Sequence, residues 1–296
     1  GPPKGEGGGA QVKVKIDESK LEARRPKVES KDLTEYPQDA EAEDLSPKHR
    51  EEIGEYNLEI VGDDARQAVE IARKVRDGIA KGSDICKLSP AICEGNMGLS
   101  RDKMPQIEGE KTVKEMLESK NELDRKKGQA MVQAGADPDS DKTVLQHMLD
   151  HLEKNGVKSS VTAVPVGALK ATQSEIKAEK VYGMADAHLK GKFKKIDESV
   201  VVSRDGHILD GHHRWAALLA IDPSRKMNVK VIDMDMKDLL QESQTVPGVY
   251  KADFEGSPLG EDDQKKYKSE AKTTFSAKGK GKAKGKGKGK KADTSP

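Results

Sequence analysis

Nowhere does the chain string together the roughly 18 apolar residues that a membrane-spanning helix needs. No basic, then apolar, then small-residue succession of a secretory leader is visible either. Cysteine is scarce. Cys86 and Cys93 are the only two, too few for a disulfide framework, and six intervening residues match no common zinc spacing. Two reduced thiols in an intracellular compartment are the expectation. Aromatic residues make up 3% of the chain and apolar residues 33%. A sequence that polar cannot bury all 296 residues, so one or two compact regions with disordered ends are expected. Although 35% of the residues are charged, the net charge is only +1, so no global field is present and local clusters carry the argument.

Four segments follow from composition and periodicity. Residues 1–45 are rich in Gly, Pro, Lys and Glu without a sustained apolar period, and read as disordered. Residues 46–156 read as mainly helical. Apolar residues recur from Ala65 to Ile79 behind a cap at Asp63 or Asp64, a second helix is expected over Thr112–Leu123, and a third after Ser140, with Val144, Leu145, Met148, Leu149 and Leu152 on one face and Asn155-Gly156 as its stop. Between the first two lies a Pro/Gly/Asn-rich stretch, Ile85–Ile107, read as packed irregular structure or a partner-binding loop. Residues 160–245 alternate element types in the order β-α-β-β-α-β-α, an α+β unit of about 85 residues. Its strands are expected at Val161–Val166, Ser199–Ser203, His207–Leu209 and Met227–Ile232, with an Asp205-Gly206 hairpin turn. Its helices are expected at Ser174–Leu189, His212–Ala220 and from an Asp235 cap to Gln241. Residues 246–296 read as a disordered tail. It ends in AKGKGKAKGKGKGKK over Ala277–Lys291, where eight lysines nearly alternate with glycine. Glycine keeps such a tail flexible, and its charge suits nucleic-acid phosphates through counterion release, without base reading. Oligomeric state is not legible.

The densest chemistry is ILDGHHRWAALL, Ile208–Leu219. Asp210-Gly211 falls where a strand becomes a helix, and Gly211 permits a tight turn. His212, His213 and Arg214 occupy the first helical turn, where free N–H groups and the helix dipole favour an anion. Arg214 suits bidentate phosphate contact, and a histidine can donate a hydrogen bond or move a proton near neutral pH. Asp210 repels phosphate, and suits holding Mg²⁺, orienting a histidine or accepting a proton. A transition-metal set of His207, Asp210, His212 and His213 is the weaker alternative, since neighbouring helix positions point apart.

The segments VPVGALKATQSEIKAEKVYGMA, VVVSRDGHILDGHHRWAALLA and NVKVIDMD together resemble the ParB/sulfiredoxin-like superfamily, over about 85 of the 296 residues, Val161 to roughly Ser243. The resemblance implies a small mixed-sheet α+β domain that binds nucleotide phosphates at the strand–Gly–His/Arg–helix turn. ParB proteins carry a Gly-Glu-Arg-Arg-type motif there and bind CTP; this chain keeps Gly211 and Arg214 only. Sulfiredoxins carry Gly-Gly-Cys-His-Arg; this chain has His212 where their cysteine belongs. The branch of free-serine kinases that use ADP or ATP carries Asp-Gly-His-His-Arg and is the most similar. That similarity implies Asp210, His212, His213 and Arg214 for phosphates and metal, with Glu175 as the nearest candidate base. Similar segments are familiar from phage-encoded proteins, which adds a virion-associated location to the intracellular one. Two functions of different class are therefore expected from the sequence. One is nucleotide-phosphate binding with ATP, ADP or CTP and Mg²⁺, leading to phosphoryl transfer or to nucleotide or phosphodiester hydrolysis, with catalytic Asp210, His212, His213 and Glu175 and a binding set of Gly211, His212, His213 and Arg214. The other is a non-catalytic DNA-associated or virion protein that uses the tail.

Overall fold

The computed structural model describes residues 11–21, 94–176, 178–189, 192–198, 200–221 and 224–271. The expected helix over Ala65–Ile79, both cysteines and the Lys/Gly run lie outside the described residues. The elements, in chain order, are α1 (Val113–Glu118), α2 (Glu122–Gln133), α3 (Val144–Lys154), β1 (Ser159–Pro165), α4 (Ala178–Leu189), β2 (Val201–Ser203), β3 (Ile208–Asp210), α5 (His212–Ile221), β4 (Lys226–Ile232), α6 (Met236–Thr245) and α7 (Glu261–Glu270). Three short 3₁₀ turns, Glu18–Lys20, Arg101–Lys103 and Val166–Ala168, complete them. Helices with one mixed sheet make the α+β class expected from the sequence. None of the described helices is long and apolar enough to cross a membrane.

Two compact units divide the described residues, one holding 158–236 with the segments before Pro105, the other 105–157 with 237–252 and the residues from Gly256 on. The first unit is built on a sheet of order β1-β4-β2-β3. β1 runs antiparallel to β4, β4 parallel to β2, and β2 antiparallel to β3. Pro165 closes β1, a position where its missing N–H costs no ladder bond. Val200, Val201, Val202 and Ile208 are fully buried, and so is Trp215 but for 1% of its surface. The Trp215 indole donates to the Val166 carbonyl at 3.0 Å, so the largest core side chain leaves no orphan N–H. α4 packs on α5.

The N-terminal expectation needs correcting. Residues 12–16 alternate apolar and lysine side chains, and Val12 is buried in the core while Val14 and Ile16 pack against it. The Lys15 N–H donates to the Arg204 carbonyl (2.8 Å) and the Val12 N–H to Ser160 Oγ (2.9 Å). Three apolar residues were too short a period to separate this strap from a disordered lead. At the hairpin, Asp205 rather than Asp235 accepts the Met236 N–H (2.9 Å), because Asp235 is taken by the Arg204 guanidinium.

The second unit carries α1, α2, α3, α7 and all but the first residue of α6. Thr112, Asn121 and Thr143 cap α1, α2 and α3 through side-chain oxygens, the last within a reciprocal capping box with Gln146. The single helix expected over Thr112–Leu123 is two. α1 stops at Glu118, and Asn121 Oδ1 accepts the Leu123 and Asp124 N–H groups to start α2. α3 matches its expected face, with Val144, Leu145, Met148 and Leu152 buried. Its His151 Nε2 lies 2.9 Å from the fully buried Glu242 carboxylate of α6, whose membership in this unit moves the expected boundary at 245. The tail expectation also needs correcting up to residue 271. Gln264 of α7 is buried and holds both backbone groups of Lys251, at 2.8 and 2.6 Å. Lys268 Nζ donates to the Gln244 and Val246 carbonyls, and burial pulls its pKa below the usual lysine value. α7 lacks an apolar stripe, which hid it from periodicity.

Candidate functional site

β3 ends at Asp210 and α5 begins at His212, with Gly211 alone between them. Gly211 has φ +102°, and a Cβ there would lie 2.9 Å from Val200 Cγ2. Left-handed backbone and lack of room together demand glycine at this turn. The strand–glycine–helix geometry expected from the sequence is therefore present. It sets the N-terminus of a ten-residue helix, with its first backbone N–H groups, directly after the strand.

His212 is 4% exposed. Its Nε2 accepts two consecutive backbone N–H groups, from Thr172 at 3.0 Å and Gln173 at 3.1 Å. An acceptor Nε2 requires the neutral ring with its proton on Nδ1. Burial drives the pKa down to about 3, and the nearby positive charges of Arg101 and His207 push the same way. His212 is thus uncharged at pH 7 and binds the 172–173 loop to the turn. Two loop N–H groups occupy its Nε2, which displaces the acid–base role expected of His212, and no local spacing foretells that contact.

His213 is also buried, at 8% exposure. Arg214 is half-buried, donates from Nη1 to the Glu198 carbonyl and lies 5.8 Å over the Phe193 ring. Asp210 is half-buried at the end of β3, opposite Val201. Glu175 stands on the loop that His212 grips. Its Oε2 accepts the Arg101 N–H at 3.1 Å, and the Gln173 amide donates to its carbonyl. Ser174 does not cap a helix. Its N–H and hydroxyl both donate to the Leu99 carbonyl, at 2.7 and 3.1 Å, which keeps 172–175 extended and delays α4 to Ala178.

Sequence reading therefore located Gly211, His212, His213 and Arg214 around one turn, and Glu175 on the loop joined to it through His212. It missed Thr172, Gln173 and Arg101. Among the described residues no three or more His, Cys, Asp or Glu side chains gather in a metal-binding arrangement. Mg²⁺ commonly takes one or two carboxylates and draws its other ligands from phosphate and water, and Asp210 is the carboxylate that adjoins the turn.

The chain matches no family model, no curated protein and no solved structure.

Proposed function

We propose that this protein binds the phosphates of a nucleotide, ATP or ADP with Mg²⁺ and CTP as the alternative base, at the turn from Asp210 to Arg214. The observation that carries the reading is the left-handed Gly211 turn feeding a strand into a helix N-terminus whose first turn carries His212, His213 and Arg214. The resemblance to the ParB/sulfiredoxin-like superfamily, with Asp-Gly-His-His-Arg as in its serine-kinase branch, supports the same guest. In this reading backbone N–H groups at the start of α5 and His213 meet a phosphate. Arg214 exchanges the Glu198 carbonyl for a phosphate oxygen, the stronger, charge-assisted acceptor. Asp210 would hold the Mg²⁺, which supplies charge neutralisation for phosphoryl transfer or hydrolysis when bound. Glu175 is the base candidate, and His212 positions rather than reacts.

Calorimetry with ATP, ADP and CTP plus Mg²⁺ tests this. Wild type is expected to bind at least one of them, and the double variant His213→Ala with Arg214→Ala to bind it at least about tenfold more weakly, the loss of one or two charge-assisted contacts. Equal affinity in the two proteins, or no binding by wild type, sinks the reading. Turnover with bound nucleotide, assayed with free hydroxy-amino acids and with DNA, then separates transfer from hydrolysis.

A second reading rests on the Lys/Gly tail, Ala277–Lys291: a non-catalytic DNA-associated or virion-packaged protein. It expects sequence-independent duplex binding whose log affinity falls with log salt at a slope of about −7 if all eight lysines pair with phosphates. Deleting residues 275–296 is expected to abolish that binding. Retention of it in the truncated chain rules the tail out as the contact.

A further inference from the structure

We propose that Arg101 and the Thr172 hydroxyl form a second anion subsite beside the 210–214 turn, one that takes the outer phosphate of a nucleoside di- or triphosphate. The inference rests on the phosphate reading above and adds a specificity to it. Arg101 lies outside the stretch that carries the superfamily resemblance, and no motif marks it.

The segment before Pro105 is laid along the loop that His212 grips. The Met97 N–H donates to the Ala171 carbonyl (3.2 Å) and the Leu99 N–H to the Thr172 carbonyl (3.0 Å), while the Ser174 N–H returns to Leu99 (2.7 Å). Asn96 Nδ2 reaches the Gln173 carbonyl at 3.3 Å and His207 Nε2 the Gly95 carbonyl at 3.0 Å. This ladder fixes Arg101 at the head of a 3₁₀ turn, with its N–H on the Glu175 carboxylate and its guanidinium Nε buried. The positive charge of Arg101 is among the causes that lower the pKa of His212, after its burial.

Thr172 supplies the independent observation. It is fully buried, its N–H is held by His212, and its hydroxyl has no hydrogen-bond partner. A buried hydroxyl left unmatched is costly and rare, and such a donor is suited to an anionic oxygen. Glu175 on the same loop disfavours a bare anion and favours one delivered with a cation, as a Mg²⁺–nucleotide is. A monophosphate fills the turn alone and gains nothing from Arg101. A di- or triphosphate spans both.

The test compares AMP, ADP and ATP with Mg²⁺ on wild type, Arg101→Ala, Arg101→Lys and Thr172→Val. Wild type is expected to prefer ADP or ATP over AMP. Arg101→Ala should lose about tenfold for the longer nucleotides with AMP unchanged, and Arg101→Lys should fall between. Thr172→Val should weaken ATP binding while leaving the melting temperature of the unliganded protein equal or higher, since no existing hydrogen bond is removed. Wild type that binds no nucleotide defeats the phosphate reading and this subsite with it. Wild type that binds, with Arg101→Ala losing all three ligands equally or none, overturns the subsite alone. A melting temperature lowered by Thr172→Val without change in ATP affinity does the same.

Discussion

His212→Ala is expected to lower the folding stability by roughly 3–7 kcal/mol, enough to threaten a protein of ordinary margin. Two effects add. The Thr172 and Gln173 N–H groups lose their acceptor in a region where both residues are almost fully buried. Each orphaned donor costs about 1–3 kcal/mol. The missing ring also leaves a void beside the core, a further penalty of about 1 kcal/mol or more. His212→Asn separates these effects, because its side-chain oxygen can accept at least one of the two N–H groups, and it should recover part of the loss. Urea unfolding of the three proteins measures the series. A change under about 1 kcal/mol for alanine would show that the 172–173 loop is held by other means.

The same residue sets an acid limit. Its folded pKa, about 3, lies below the ordinary 6.5, so the unfolded chain takes up a proton that the native ring refuses. The stabilisation from a neutral His212 is complete above pH 6.5 and erodes as pH falls from there toward 3. The slope for one such group reaches about 1.4 kcal/mol per pH unit. Carboxylates protonate in part of that window as well, so the informative quantity is the difference between wild type and His212→Asn at pH 7, 5 and 4. That difference should shrink as pH falls. A constant difference would mean His212 is not buried as a neutral acceptor.

Why the sequence revealed the turn but not the knot beneath it is a matter of range. Asp210-Gly211 before an apolar run is a local signal, since the strand end, the left-handed residue and the helix start are adjacent in the chain. The β4 strand, Trp215 inside and the α3 face were legible for the same reason, their periodicity being local. His212 bonding Thr172 is a contact across 40 residues, and Arg101 meeting Glu175 one across 74. No pattern of spacing encodes either. Propensity also misled at Ser174. Its hydroxyl suits a helix cap, but a closer tertiary acceptor, the Leu99 carbonyl, claims both of its donors. Residues 11–16 and α7 were missed from the opposite cause. Each offers too little apolar periodicity to announce itself, and is held by a few specific hydrogen bonds and one or two buried side chains.

Gly211→Ala is expected to cost about 2–5 kcal/mol and to remove nucleotide binding. The left-handed conformation alone disfavours alanine by about 1–2 kcal/mol. The added methyl would also stand 2.9 Å from Val200 Cγ2 and 3.3 Å from Val200 Cα. Val200 is fully buried, so it cannot swing aside without disturbing the core, and overpacking of this kind costs about 1–3 kcal/mol. The two contributions separate in the double variant Gly211→Ala with Val200→Ala. Shortening Val200 removes the 2.9 Å contact with Cγ2 but neither the 3.3 Å contacts with Val200 Cβ and Cα nor the φ strain. The double variant should therefore be more stable than the sum of the single losses by about 1 kcal/mol, a favourable coupling between touching sites. Its nucleotide affinity should stay low if, as proposed, the phosphate is met by backbone N–H groups whose direction the left-handed residue sets. Additive stability losses would show that the methyl is accommodated elsewhere. Affinity restored along with stability would mean that the turn serves the fold alone, and the anion would then have to be sought nearer Arg101.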